Sequence, residues 1–161
     1  MNKFLKTLLV GTLISAGCGA MGWAADSPDP VVGTWRLNVA KSKFPAGAAP
    51  QSQTRTYTQS ADGTSVTVTG VAADGAAISQ KSTFKYDGKD YPYTGSSDWD
   101  ALSLTRVNGS TVNSKMKLAG KTVGTTVRSI SDHGKKLSLT TNAKHTDGKR
   151  YHWVAVFDRQ S

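Results

Sequence analysis

The acid–base chemistry open to this chain is sparse. It has three histidines (His133, His145 and His152), one cysteine (Cys18) and no glutamate; all eleven acidic residues are aspartates. No Cys/His or His/carboxylate spacing matches a metal site. Asp87 with Asp90 and Asp98 with Asp100 form close carboxylate pairs, but they sit on turns, where aspartate serves the turn itself. The stretch "GSSD", Gly95 to Asp98, lacks the strand–turn–helix setting of a nucleophile elbow. Neither catalysis nor a metal or cofactor is expected.

What remains is recognition. Arg55 and Tyr57 fall on one face of "TRTYT". Arg106 shares the parity of Leu102 and Leu104 in "ALSLTRV", and Gln80 and Ser82 share that of Ile78 and Phe84. An arginine on an apolar face is costly unless it is paired or meets an anion. At a strand end it reaches water instead. If they face inward, Arg55, Tyr57 and Arg106 form a cationic spot beside an apolar lining of Val66, Ile78, Phe84, Leu104 and Met116. The expected ligand-binding set is Arg55, Tyr57, Phe84, Leu104, Arg106 and Met116, for a small apolar or amphipathic molecule. The alternative is a filled interior, in a structural or interaction protein of the cell envelope. A continuous internal void discriminates the two.

Glycine turns position these residues. "ADGT", "ADGA", "YDGK", "VNGS", "LAGK", "DHGK" and "TDGK" recur mostly every 11 to 14 residues, and "YTGSSD" splits the one long gap. Asp-Gly and Asn-Gly supply the positive φ angles of tight hairpins. Between them apolar residues alternate: Val66 and Val68; Ile78, Phe84 and Tyr86; Val112, Met116 and Leu118; Val123 and Val127; Leu137 and Leu139; Tyr151, Trp153 and Phe157. Period two marks half-buried strands, and no mature segment carries a helical period. The reading is all-β: an antiparallel up-and-down meander of nine or ten strands closed into a barrel, which removes the free edges. A two-sheet sandwich is the alternative, but it usually needs longer crossing connections. "FPAGAAPQS" (44–52) and "YPYTGSSDW" (91–99) are expected to be irregular loops.

The first 25 residues read as a signal peptide: Lys3 and Lys6, the apolar run "TLLVGTLISAG", then small residues up to Ala24 and Ala25. Residues 26–161 form the barrel domain. The expected location is periplasmic or secreted. The alternative is an outer-membrane lipoprotein anchored at Cys18, although Ser15 stands where lipidation prefers an aliphatic residue. Cys18 is the sole cysteine, so the mature chain has no disulfide. The formal charge is +9, of which Lys3 and Lys6 supply two, leaving +7. That balance favours weak association with anionic envelope surfaces. The basic residues are dispersed, so no specific nucleic-acid binding is expected, and the chain is read as a monomer.

Gly33-Thr34-Trp35 near the mature N-terminus, a barrel of this size and a basic residue ending the last strand resemble the calycin superfamily, which includes lipocalins and fatty-acid-binding proteins. The resemblance implies that Trp35 packs across the closed end of the barrel beneath an arginine from near the C-terminus. Arg159 is the best match and Arg150 the second. The opening "GTWRLNVAKSKF" is similar to small secreted bacterial lipocalin-like proteins, and "LNVAKSKF" more loosely to periplasmic polyisoprenoid-binding barrels. Two family features are missing. "FPAGAAPQS" stands in place of the two-helix lid of fatty-acid-binding proteins. Ala155 and Phe157 stand where their Arg-x-Tyr carboxylate clamp would be.

The exported protein is expected to begin near Ala25 or Asp26, and the intact mass of the mature form measures this. A mass that includes a diacylglycerol on Cys18 would establish the anchored form instead.

Overall fold

The computed structural model describes residues 29–145 and 147–161. The expected signal peptide, with Cys18 and its cleavage alternatives, lies outside the described residues.

Ten strands follow one another: β1 Gly33–Leu37, β2 Ser52–Ser60, β3 Gly63–Val71, β4 Ala77–Phe84, β5 Asp87–Thr94, β6 Ala101–Arg106, β7 Thr111–Leu118, β8 Lys121–Ser131, β9 Lys136–Lys144 and β10 Arg150–Arg159. Each pairs antiparallel with the next, and β1 pairs with β10, so the sheet closes into an up-and-down barrel. The closed meander expected from the turn spacing is what forms. A single 3₁₀ turn, Val39–Lys41, follows β1, capped by the Asn38 side chain accepting from the Lys41 amide.

The glycine turns fall where hairpins are needed. Ser60 pairs with Gly63 around Ala61 and Asp62, for example. The expectation for 91–99 is half corrected: Tyr91, Pro92 and Tyr93 belong to β5, and only the residues after Thr94 form a loop. Proline lacks an amide donor, and strands tolerate it where the ladder is thin. The β4–β5 ladder is thin here, pairing at Lys81–Thr94 and Ser82–Tyr93. Side chains supplement it. Ser82 Oγ donates to the Pro92 carbonyl at 2.7 Å, and the Tyr93 hydroxyl donates to Gln80 Oε1 at 2.7 Å.

Strand β8 reverses another expectation. The alternation of Val123 and Val127 does not mark its inward row: Val127 faces solvent, while Thr126 and the buried Arg128 point into the barrel. A bulge at Met116/Lys117 of β7 shifts the local pairing. Gly124 then faces inward where nothing larger fits: a Cβ there would stand 2.5 Å from Ala143 Cβ and 2.6 Å from Met116 Cε. The inward row of β8 is thus set by close packing and, as shown below, by polar partners rather than by apolar alternation.

One end of the barrel is closed by the segment before β1. Val31 is fully buried, and its carbonyl accepts from Trp35 Nε1 at 2.7 Å. Trp35 is fully buried beneath Arg159, whose Cζ lies 4.2 Å from the ring centroid. The same guanidinium donates to the carbonyls of Val32 at 2.7 Å, Gly134 at 2.6 Å and Pro30. Arg159 therefore ties the N-terminal segment, the first strand and the β8–β9 turn together. It also explains the glycine before the tryptophan. Gly33 has φ +131°, and a Cβ there would stand 2.6 Å from Arg159 Nη1. Arg150 pairs with Lys144 at the start of β10, and the stacking role falls to Arg159.

Trp35→Ala is expected to cost about 3–5 kcal/mol, as truncating a large buried aromatic does. Arg159→Ala should cost less, because part of its face reaches solvent. Chemical denaturation of both single variants and the double variant should show them coupled by about 0.5–3 kcal/mol. Additive losses would mean that the stack does not hold the closed end.

Candidate functional site

The barrel is not filled by its own side chains. A cavity of about 700 Å³ runs from the loops at the open end down to Phe84, Tyr57 and Arg128. That volume lies within the range of small-molecule sites. Its middle is apolar, with Val66, Leu104, Met116, Leu139 and Ala155 on the wall. These side chains meet because alternate residues of successive strands point inward at matching levels, as in the Leu102–Met116 and Ala155–Leu139 pairs.

Five of the six residues expected to bind ligand line this cavity: Arg55, Tyr57, Phe84, Leu104 and Met116. The sixth, Arg106, does not, and its placement is corrected here. It has the inward parity of Leu104, but it is the last residue of β6, beyond the cavity floor. There its guanidinium lies 4.1 Å from the centroid of the Tyr86 ring, and Nη2 donates to Asp29 Oδ2 at 2.7 Å. Asp29, supplied by the segment before β1 that plugs the closed end, draws it away from the interior.

Arg128 takes the place expected for Arg106. It is buried on the cavity floor, with Nη2 donating to the Tyr86 hydroxyl at 2.8 Å. Its Cζ lies 5.3 Å from the Tyr86 ring and 5.6 Å from the Tyr57 ring. Its nearest carboxylate oxygen, on Asp29, is 3.9 Å away, and its Nε is buried without a hydrogen-bond partner among the described residues. Burial opposes its charge, but Tyr57, Tyr86 and Asp29 more than restore it, so its pKa stands above the ordinary value. Arg55 has no carboxylate within ion-pair distance among the described residues. Its Nε donates to Gln53 Oε1 at 3.2 Å, and its Cζ lies 5.4 Å from the Phe157 ring. Tyr93 sits near Arg55; burial raises its pKa, so its hydroxyl stays neutral.

Asp29 had no signal in the sequence, because it precedes the first strand and belongs to no periodic pattern. It is buried, accepts from the Tyr86 hydroxyl, and also accepts from the Val31 amide at 3.1 Å. Burial alone would raise its pKa. The bonds from Tyr86 and Val31 and the charges of Arg128 and Arg106 outweigh that and hold it below 3.8. Arg128, by contrast, had a signal that went unread: it shares parity with Ile130, an apolar residue facing the same side.

The open end is polar and aromatic. Trp99 and Trp153 line it, and Phe44 of the 44–52 loop stacks on Trp153 with centroids 5.9 Å apart. His145 Nδ1 stands 3.5 Å from Asp98 Oδ1, and its ring lies 4.2 Å from that of Tyr151. Burial, with the charge of Asp98, pushes the Tyr151 hydroxyl up to about 12. His152, by contrast, is exposed and faces Asn142. Among the described residues no three His, Cys, Asp or Glu side chains converge as metal ligands.

Solved structures similar to this chain include the following two. One is the zebrafish ileal bile acid-binding protein complexed with cholic acid: 14% identity, TM-score 0.51, covering 81% of this chain and 99% of that one. The other is a redesigned β-barrel, mFAP1, bound to DFHBI: 13% identity, TM-score 0.41, covering 81% of this chain and 95% of that one. No family model matches the chain. No curated protein matches it either. The fold is thus a closed ten-stranded up-and-down barrel of the kind seen in that bile acid-binding protein.

The depressed pKa of Asp29 has a sign that can be measured. Its contribution to stability is complete above the unfolded value near 3.8 and is lost as pH falls through the lower folded value. Asp29→Asn should therefore flatten the acid limb of a stability–pH profile taken by thermal melts between about pH 2 and 6. An unchanged limb would mean that Asp29 carries no net interaction in the folded state.

Proposed function

We propose that this protein is an exported carrier or sensor that binds a small amphipathic anion. The apolar part lies along the cavity wall and the charged head on Arg55 and Arg128. One observation carries the reading: two arginines face an apolar cavity, and neither has a carboxylate in direct contact among the described residues. A cation facing an apolar cavity with no carboxylate in direct contact is costly, and a ligand carboxylate, sulfate or phosphate would supply that contact. Bonds made there would be charge-assisted and partly shielded from water, hence stronger than neutral ones.

Two further points support the reading. The cavity volume argues against the filled-barrel alternative. The similar zebrafish barrel is complexed with an amphipathic acid, cholic acid. The head site proposed here does not use the last-strand clamp of fatty-acid-binding proteins, since Ala155 and Phe157 occupy those positions. Export rests on the leader-like residues 1–25, and the +7 charge of the remaining chain suits weak contact with anionic envelope surfaces.

The test is a fluorescence titration with a long-chain acid and the alcohol of equal length, because Trp99 and Trp153 line the cavity and report on occupancy. The acid should bind about tenfold tighter or more, the scale of a hydrogen bond to a charged group. Arg55→Gln should reduce that preference and leave the alcohol's affinity within about twofold. Equal affinities, or no binding of either, would overturn the proposal.

A further inference from the structure

Beneath the proposed head site lies a polar network whose residues do not all line the cavity. The inference drawn from it rests on the anion-binding reading above. The guanidinium groups of Arg106 and Arg128 meet at the floor around Tyr86, and that of Arg55 lines the cavity wall. Among the described residues one carboxylate, Asp29, lies within ion-pair distance of any of them. Its side chain is 3% exposed, so water does little to weaken its field. The plug segment brings it to the floor from outside: Val31 is buried, and Arg159 holds the carbonyls on either side of it.

Asp29 is divided unequally. Oδ2 is in direct contact with Arg106 Nη2 at 2.7 Å and stands 3.9 Å from Arg128 Nη2. The Tyr86 hydroxyl lies between, donating to Asp29 and accepting from Arg128. Arg106 and Arg128 thus share one carboxylate, which is in direct contact only with the arginine outside the cavity. Arg128 keeps enough uncompensated charge to receive a ligand, while the nearby carboxylate limits how much.

We infer that Asp29 and Arg106 are specificity-determining residues for head-group charge, acting on the ligand through Arg128 without touching it. Asp29 weakens the site for anions. Arg106 restores it by occupying Asp29. Two substitutions at one ion pair should therefore shift ligand preference in opposite directions, whereas structural damage at the closed end would move both the same way.

The experiment repeats the acid and alcohol titration on wild type, Asp29→Asn, Arg106→Gln and the double variant, each checked for folding by circular dichroism. The readout is the ratio of acid to alcohol affinity. Asp29→Asn should raise it roughly three- to tenfold, since one negative charge next to Arg128 is removed in a partly dry site. Arg106→Gln should lower it by a similar factor, because the freed carboxylate then pairs with Arg128. The double variant should stay close to Asp29→Asn, because Arg106 acts only through a carboxylate that is no longer there. An unchanged or lower ratio in Asp29→Asn would overturn the inference. So would an unchanged or higher ratio in Arg106→Gln. A double variant as low as Arg106→Gln would place Arg106 in direct contact with ligand, and would overturn it too. Should Asp29→Asn not fold, the direction of the Arg106→Gln shift decides. A wild type without acid preference would remove both this inference and the reading beneath it. A wild type with the preference, but unresponsive to these changes, would remove the inference alone.

Discussion

The stack of Arg159 on Trp35 is the contact on which the rest of this barrel depends. The seam between β1 and β10 is short, pairing only Trp35 with Arg159, Arg36 with Asp158 and Leu37 with Phe157. A ladder of that length would fray in isolation. Burying the indole, covering it with a cation and using that cation's donors on three backbone carbonyls turns the seam into a fixed corner. The cost falls on Gly33, which must lack a side chain for the guanidinium to reach its place. Closure at this corner removes both sheet edges, and the plug segment follows because its carbonyls are the acceptors Arg159 needs.

With one end sealed, the interior acquires a direction. The floor carries the buried polar network of Asp29, Tyr86, Arg106 and Arg128, and the opposite end is ringed by aromatic residues and flanked by the Asp98–His145 pair. Between them lies apolar wall. This gradient is what an amphipathic ligand requires. The floor arginines tolerate burial because Tyr57 and Tyr86 offer ring faces and a hydroxyl in place of a full set of carboxylates. The network is therefore held without being neutralised, and it leaves charge directed at the cavity.

The absence of a two-helix cover matters to the same picture. Only a 3₁₀ turn and the irregular 44–52 segment follow β1, and Phe44 of that segment packs on Trp153 at the open end. Lys43 bridges to Val154 through paired backbone hydrogen bonds, which fastens the start of the segment to β10. The open end is thus partly shaped by a strap anchored on the last strand rather than by helices packed across it.

How much of this was legible in the chain follows from the range of the interactions involved. Alternation of apolar and polar residues and the spacing of Asp-Gly and Asn-Gly turns are local, so the antiparallel meander of nine or ten strands and the inward rows of β2, β6, β7 and β9 could be read residue by residue. A closed meander must bring its first and last strands together, and the calycin resemblance implies which side chains meet there, Trp35 and Arg159. Arg106, Val127 and Arg128 could not be placed that way. Parity puts a residue on a face, but it does not say how far along the barrel axis the side chain lies or which partner draws it. Arg106 leaves the cavity because Asp29, 77 residues away, waits beyond the floor. Arg128 enters because Tyr86 satisfies it there, and Val127 turns outward as a consequence of that same strand orientation. The sequence by itself determined the meander order, the closure and the strands apart from the Tyr91–Tyr93 stretch of β5. Only the tertiary structure decided where the charges sit, because a buried charge is placed by its partners, and those partners are distant in the chain.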